Sequence, residues 1–113
     1  MTDADPTVWL TIPDLVDELG IPQGRVRRLL EEGVLLGVRR AGVLQVPADF
    51  LREGEPLREL RGTLTVLADA GYSDEDSMAW LLGVQESLGT TPIAALRSGR
   101  KAEVRRVAQS LGF

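Results

Sequence analysis

The sequence predicts a mainly α fold with a small β-hairpin: a winged helix-turn-helix followed by a C-terminal helical cluster. Three observations predict it. Between residues 11 and 33, apolar residues recur at helical spacing in two short runs separated by Gly20-Ile21-Pro22. Between residues 34 and 46, two apolar runs flank a glycine-containing turn. Beyond residue 56, leucine-rich helical stripes alternate with cap and glycine signals.

Each element has its own justification. Residues 1–10 read as an acidic N-terminal arm. Thr11 is placed to cap a first helix, with Pro13 in its first turn and Asp14 near the positive helix end. Ile12, Leu15, Val16 and Leu19 form one apolar stripe, and Gly20 supplies the left-handed residue that closes the helix. Ile21 is expected in the turn, buried between the helices. Pro22 starts the second helix, whose inner face is Val26, Leu29 and Leu30, and Gly33 ends it. Val34 to Arg39 and Val43 to Val46 are the two arms of a hairpin, with Arg40-Ala41-Gly42 as its turn and Pro47 ending the second strand. Ala48 to Leu51 fits a short helical turn.

The polar run Arg52 to Pro56 reads as the boundary between a winged helix-turn-helix over 11–55 and a helical region over 56–113. In that region Leu57, Leu60, Leu64 and Leu67 form one stripe, stopped at Gly71. Ser73 and Asp76 have capping-box spacing, Thr91-Pro92 opens a short helix, and Val104, Val107, Ala108 and Leu111 line a last one.

Composition narrows the function. There is no cysteine and no histidine, so thiolate chemistry, disulfides and the commonest general base and zinc ligand are excluded. No P-loop, dinucleotide fingerprint, nucleophile elbow or metal motif occurs, and no enzyme, cofactor or metal is expected. No apolar run approaches the roughly 20 residues that span a bilayer. The acidic start MTDADPT is unlike a signal peptide, so a cytoplasmic, nucleoid-associated protein is expected.

The net charge is −4, but it is unevenly spread. Residues 21–47 carry five arginines against Glu31 and Glu32 on an otherwise acidic first half. At 100° per residue, Gly24 and Arg28 point away from the inner face of the second helix, as do Glu31 and Glu32, while Arg25 and Arg27 flank that face on opposite sides. The N-terminal half of a recognition helix lies deepest in the DNA major groove, which makes Gln23, Gly24, Arg27 and Arg28 the base-edge candidates. Gly24 leaves room for the backbone to approach, Arg25 suits a phosphate, and Arg39 and Arg40 sit where a wing reaches backbone or minor groove. A second basic block, Arg97 to Arg106, is read as a solvated face, with Arg105 and Arg106 opposite the last apolar stripe. Trp9 and Trp80 are read as core or interface anchors. Asp74, Glu75 and Asp76 complement a helix dipole.

TIPDLVDELGIPQGRVRRLLEEGVLLGVRRAGVLQVP resembles the N-terminal half of a small actinobacterial winged-helix DNA-binding family, and LRGTLTVLADAGYSDEDSMAWLL resembles that family's helical C-terminal region. One member of the family is a substrate of a receptor-type serine/threonine kinase. The resemblance implies double-stranded DNA as partner, bound through Arg25, Arg27, Arg28, Arg39 and Arg40. It also implies a kinase partner acting on the arm, where Thr2 and Thr7 are the acceptors here. WLLGVQESLGTTPIAALRSGRKAEVRRVAQSLG is similar to the C-terminal element of Xre/ParS-type antitoxins, a region that contacts a toxin or a second subunit.

The expected function is therefore DNA binding, as a transcriptional regulator, with homodimerisation through the C-terminal helices. The alternative is a protein-interaction module, an antitoxin-like partner acting through those helices. Salt separates the two, since contacts to phosphates weaken steeply as salt rises and a leucine-rich interface does not.

Overall fold

Thr11 ends one element and begins the next. In the computed structural model, which describes residues 7–111, it closes a short strand, β1 (Trp9–Thr11), and caps helix α1 (Ile12–Leu19). Thr11 Oγ1 accepts from the Asp14 N–H at 3.4 Å, and Asp14 Oδ2 accepts from the Thr11 N–H at 3.0 Å. That reciprocal box satisfies two backbone donors a helix start leaves open. Gly20, at φ 67°, ends α1 in the left-handed region, where a Cβ is penalised. Helix α2 (Gln23–Glu31) follows, with Val26 fully buried and Ile21 packed at the edge of the core.

The wing is the antiparallel pair β2 (Val38–Arg40) and β3 (Val43–Pro47), and β1 lies along the other side of β3. Trp9 faces Pro47 and Thr11 faces Gln45 on one side. Val38 faces Gln45 and Arg40 faces Val43 on the other. Ala41 and Gly42 form a two-residue turn with φ of 53° and 80°. Two successive positive φ values are the mark of a type I′ hairpin, which favours Asn-Gly. Ala41 holds this conformation at a cost of about 1 kcal/mol. The Ala41→Asn variant is expected to be about 0.5–1 kcal/mol more stable in denaturant melts, and an unchanged or lower midpoint would contradict the turn geometry.

Three expectations need correction. Trp9 and Leu10, assigned to the arm, belong to β1. The first wing strand starts at Val38 and not at Val34. The Val34 and Leu35 N–H groups instead donate to the Leu29 carbonyl at 3.0 and 3.2 Å, so this stretch finishes α2 and buries Leu35 and Leu36. Lastly, Arg52 to Pro56, read as a boundary from its polarity, carries regular structure of its own. A 3-10 turn (Ala48–Phe50) leads into a second hairpin, β4 (Leu51–Arg52) and β5 (Glu55–Pro56), closed by Glu53 and Gly54 at φ 52° and 78°.

The C-terminal helices are α3 (Leu60–Asp69), α4 (Asp74–Leu82), α5 (Pro92–Arg97) and α6 (Lys101–Gln109). Ser73 and Asp76 form the expected capping box, and Thr91 Oγ1 accepts from the Ala94 N–H at 3.2 Å. Helix α3 packs on α4 and α6, α5 packs on α4, α6 and the 3-10 turn, and α4 reaches β2. One core runs through both halves, from Leu15, Val26 and Val46 through Phe50 to Leu60, Leu81, Leu96 and Val104.

Two arginines lock the halves across the hairpin. Arg97 Nη1 donates to the carbonyls of Asp49 and Leu51, at 3.0 and 2.6 Å, and Arg52 donates in return to the Arg97 carbonyl. The second basic block is thus largely structural. Arg100 binds both carboxylate oxygens of Glu103 at 3.0 Å and the Leu88 carbonyl at 3.1 Å. The Arg100 hydrogen bonds hold the Glu103 carboxyl below its usual range. Glu103 therefore adds stability above the ordinary carboxylate pKa, and that contribution is lost as pH falls through the lowered value. Arg105 is not on a solvated face. It lies at the flank of the α6 stripe, half-buried, with its guanidinium seated against Gly62, where a Cβ would collide with it. Arg106 is exposed, as expected.

Candidate nucleic-acid interface

Gln23, Gly24, Arg25, Arg27 and Arg28 are all exposed on α2, and Arg39 and Arg40 are exposed on the wing. Their side chains are organised by helix pitch and strand alternation. Val26, Leu29 and Leu30 hold α2 against the core, which turns Gly24 and Arg28 outward and sends Arg25 and Arg27 to opposite flanks. A Cβ built on Gly24 meets no atom within 4 Å, so packing within the fold does not demand glycine there.

Arg27 is on the flank that faces the wing. It lines one cleft of about 250 Å³ with Thr11, Pro13, Arg39 and Leu44. The structure thus brings Arg27 and Arg39, twelve residues apart, onto one concave surface between the helix and the hairpin. Two guanidinium groups lining a cleft with no acidic residue make an anion-accepting surface. Arg39 Nη1 donates to the Gly42 carbonyl at 3.3 Å, which ties it to the turn.

Arg40 is separated from this cleft. Successive strand residues point to opposite faces, so Arg40 leaves the sheet on the side of Trp9 and Gln45. Its Cζ lies 4.2 Å from the centroid of the Trp9 ring, a cation–π contact. Gln45 Nε2 donates to the Arg40 carbonyl at 3.3 Å. Sequence reasoning did not pair Trp9 with Arg40. Trp9 sits on a strand of three residues and pairs with Pro47, 38 positions on, and nothing local in the sequence marks that register.

Glu31 and Glu32 are exposed at the C-terminal end of α2, and neither lines the cleft of Arg27 and Arg39. Thr7 is half-buried just before β1, and Thr2 lies outside the described residues. Among the described residues there is no cluster of three or more metal-ligating side chains, and no helix is long and apolar enough to cross a membrane.

Comparison with known proteins agrees with this architecture. Residues 2–51 match the family described as DNA-binding protein Rv2175c, wHTH domain, and residues 57–112 match the Rv2175c C-terminal domain of unknown function. The chain is 35% identical over 115 residues to DNA-binding protein Rv2175c of Mycobacterium tuberculosis (strain ATCC 25618 / H37Rv), a match covering 90% of this chain and 79% of that protein. The NMR structure of Rv2175c superposes with a TM-score of 0.86 at 32% identity, covering all of this chain and 85% of the other. With both halves matched in order and the fold shared from end to end, the chain belongs to the Rv2175c family of winged helix-turn-helix proteins.

Proposed function

We propose that this protein binds double-stranded DNA as a transcriptional regulator, with α2 in the major groove and the β2–β3 hairpin as a wing. The observation that carries the reading is the shared cleft of Arg27 and Arg39, in which helix and wing present positive charge to one docking surface. The family name, which describes the mycobacterial relative as DNA-binding, supports it. In this reading Gln23, Gly24, Arg27 and Arg28 meet base edges, Arg25 meets a phosphate, and Arg39 and Arg40 follow the backbone or minor groove.

The test is fluorescence anisotropy with a labelled random-sequence duplex across a series of salt concentrations. Contacts of Arg25, Arg39 and Arg40 to about three phosphates give a slope of log affinity against log salt of roughly −3. A salt-independent affinity, or no binding at low salt, sinks the reading.

Gly24 separates backbone approach from simple exposure. Gly24→Ala is expected to stabilise the fold by about 0.5 kcal/mol, because open space surrounds the added methyl and alanine favours helix. The same change is expected to weaken DNA binding several-fold if the α2 backbone lies against the duplex. Binding that stays at the wild-type level in this stabler variant removes Gly24 from the interface.

Self-association through the C-terminal helices, read out by sedimentation, would double the bound surface. Phosphorylation of Thr2 or Thr7 by a Ser/Thr kinase would add negative charge to the protein and weaken its binding to DNA. Mass spectrometry after a kinase reaction locates or excludes the site.

A further inference from the structure

A second cleft, of about 400 Å³, lies where the winged half meets the C-terminal helices. That volume is within the roughly 300–1,000 Å³ of small-molecule sites. Its apolar walls come from four places in the fold: Leu30 on α2, Leu36 before β2, Leu64 on α3, and Tyr72 between α3 and α4. Leu30, Leu64 and Tyr72 stay half-buried, so they offer hydrocarbon and an aromatic ring to whatever enters.

The charged groups lining it are Glu31 and Asp74, with no lysine or arginine. Both carboxylates are exposed. Neither Glu31 nor Asp74 forms an ion pair among the described residues, and Arg27 and Arg28 stand one turn before Glu31 on α2, outside the cleft lining. The C-terminal end of α2 adds the negative end of its dipole beside Leu30 and Glu31, whereas Asp74, the first residue of α4, stands at that helix's positive end. An anion is repelled from such a site. A hard metal ion requires several converging oxygen ligands, whereas these walls are mostly hydrocarbon and the described residues hold no group of three metal-ligating side chains.

We propose that this cleft binds a lipophilic organic monocation, its apolar body held by the leucines and Tyr72 and its charge facing Glu31 and Asp74. Aromatic rings add a cation–π component to such binding. The inference does not depend on DNA binding, because the carboxylates and arginines occupy different clefts.

The test titrates tetraphenylphosphonium into the full-length protein, followed by calorimetry and by amide chemical shifts. Triphenylphosphine oxide serves as the neutral comparator of similar shape. Saturable binding of the cation is expected, with shifts centred on Leu30, Leu36, Leu64 and Tyr72, and at least tenfold weaker binding of the neutral compound. Glu31→Gln with Asp74→Asn is expected to reduce cation affinity about tenfold. Ala68→Phe, which fills the cleft from an exposed lining position, is expected to abolish it and provides an independent variant should the first one unfold. Absence of saturable binding, equal affinity for the neutral compound, shifts centred elsewhere, or insensitivity of folded variants to these changes each overturns the proposal.

Discussion

Replacing Arg27 and Arg28 together by alanine is expected to lower DNA affinity by roughly 100-fold. A well-formed arginine contact to a base edge is worth about 1–3 kcal/mol, and about 1.4 kcal/mol is a factor of ten. Loss of two such groups therefore amounts to about 3 kcal/mol. Sequence preference should relax, while the salt slope, set by the phosphate contacts, should change by less than about 1. Both side chains are exposed, so thermal stability should change by less than about 0.5 kcal/mol. Arg58→Ala with Arg61→Ala is the matched control, since both are exposed arginines at or beside α3, beyond the winged half. If both double variants lose affinity equally, binding is a property of overall charge and α2 is not the reading helix. If neither loses it, the interface lies elsewhere.

The largest effect on stability is expected at Phe50. It is fully buried and is the bulkiest of the fully buried side chains. It stands in the 3-10 turn between the two halves, its carbonyl accepts from the Leu57 N–H at 2.8 Å, and α5 packs on the turn that carries it. Phe50→Ala removes an aromatic ring from the point where the two parts of the core meet. Such truncations cost about 3–5 kcal/mol, a large share of the roughly 5–15 kcal/mol by which a domain is stable. A fall in melting temperature of more than about 12 °C follows from the size scaling for small domains. Because one core spans both halves, far-UV and tryptophan signals should lose structure together. A cost below about 1 kcal/mol, or two separated transitions in the wild type, would show that the halves fold independently.

The helix-turn-helix was legible in the sequence because its information is local. Thr11, Pro13, Gly20 and the stripes of α1 and α2 each act within a few residues of where they stand. The Ser73 and Thr91 caps were legible for the same reason. What escaped depends on distant partners. Strand β1 has three residues, too few for an alternation to show, and its hairpin mate lies beyond both helices. The β4–β5 hairpin has two-residue strands and places Glu53 in a left-handed turn, so charge and glycine suggested a boundary and no strands. Val34 to Gly37 had strand-like composition, yet the free carbonyl at the end of α2 captured its N–H groups. The candidate site was legible as a list of arginines, since exposure on α2 follows from helix pitch. It was not legible as a geometry. Strand alternation divides Arg39 from Arg40, and only the folded arrangement joins Arg39 to Arg27. Likewise, Arg105 was taken for surface because the slot it fills is a missing side chain at Gly62, on another helix.

The contact between Trp9 and Arg40 makes the wing optically visible. The chain has two tryptophans, and Trp80 is buried among the C-terminal helices. Trp9 is half-exposed and carries a cation on its ring. If Arg40 leaves the indole for a phosphate in the proposed complex, it surrenders an attraction worth about 0.5–1 kcal/mol at an exposed site. The emission of Trp9 then changes while that of Trp80 stays constant. In the proposed complex Trp9 would thus serve as an intrinsic, label-free reporter of wing engagement, a signal expected to disappear in Trp9→Phe, whose substitution lies outside the Arg27–Arg39 cleft.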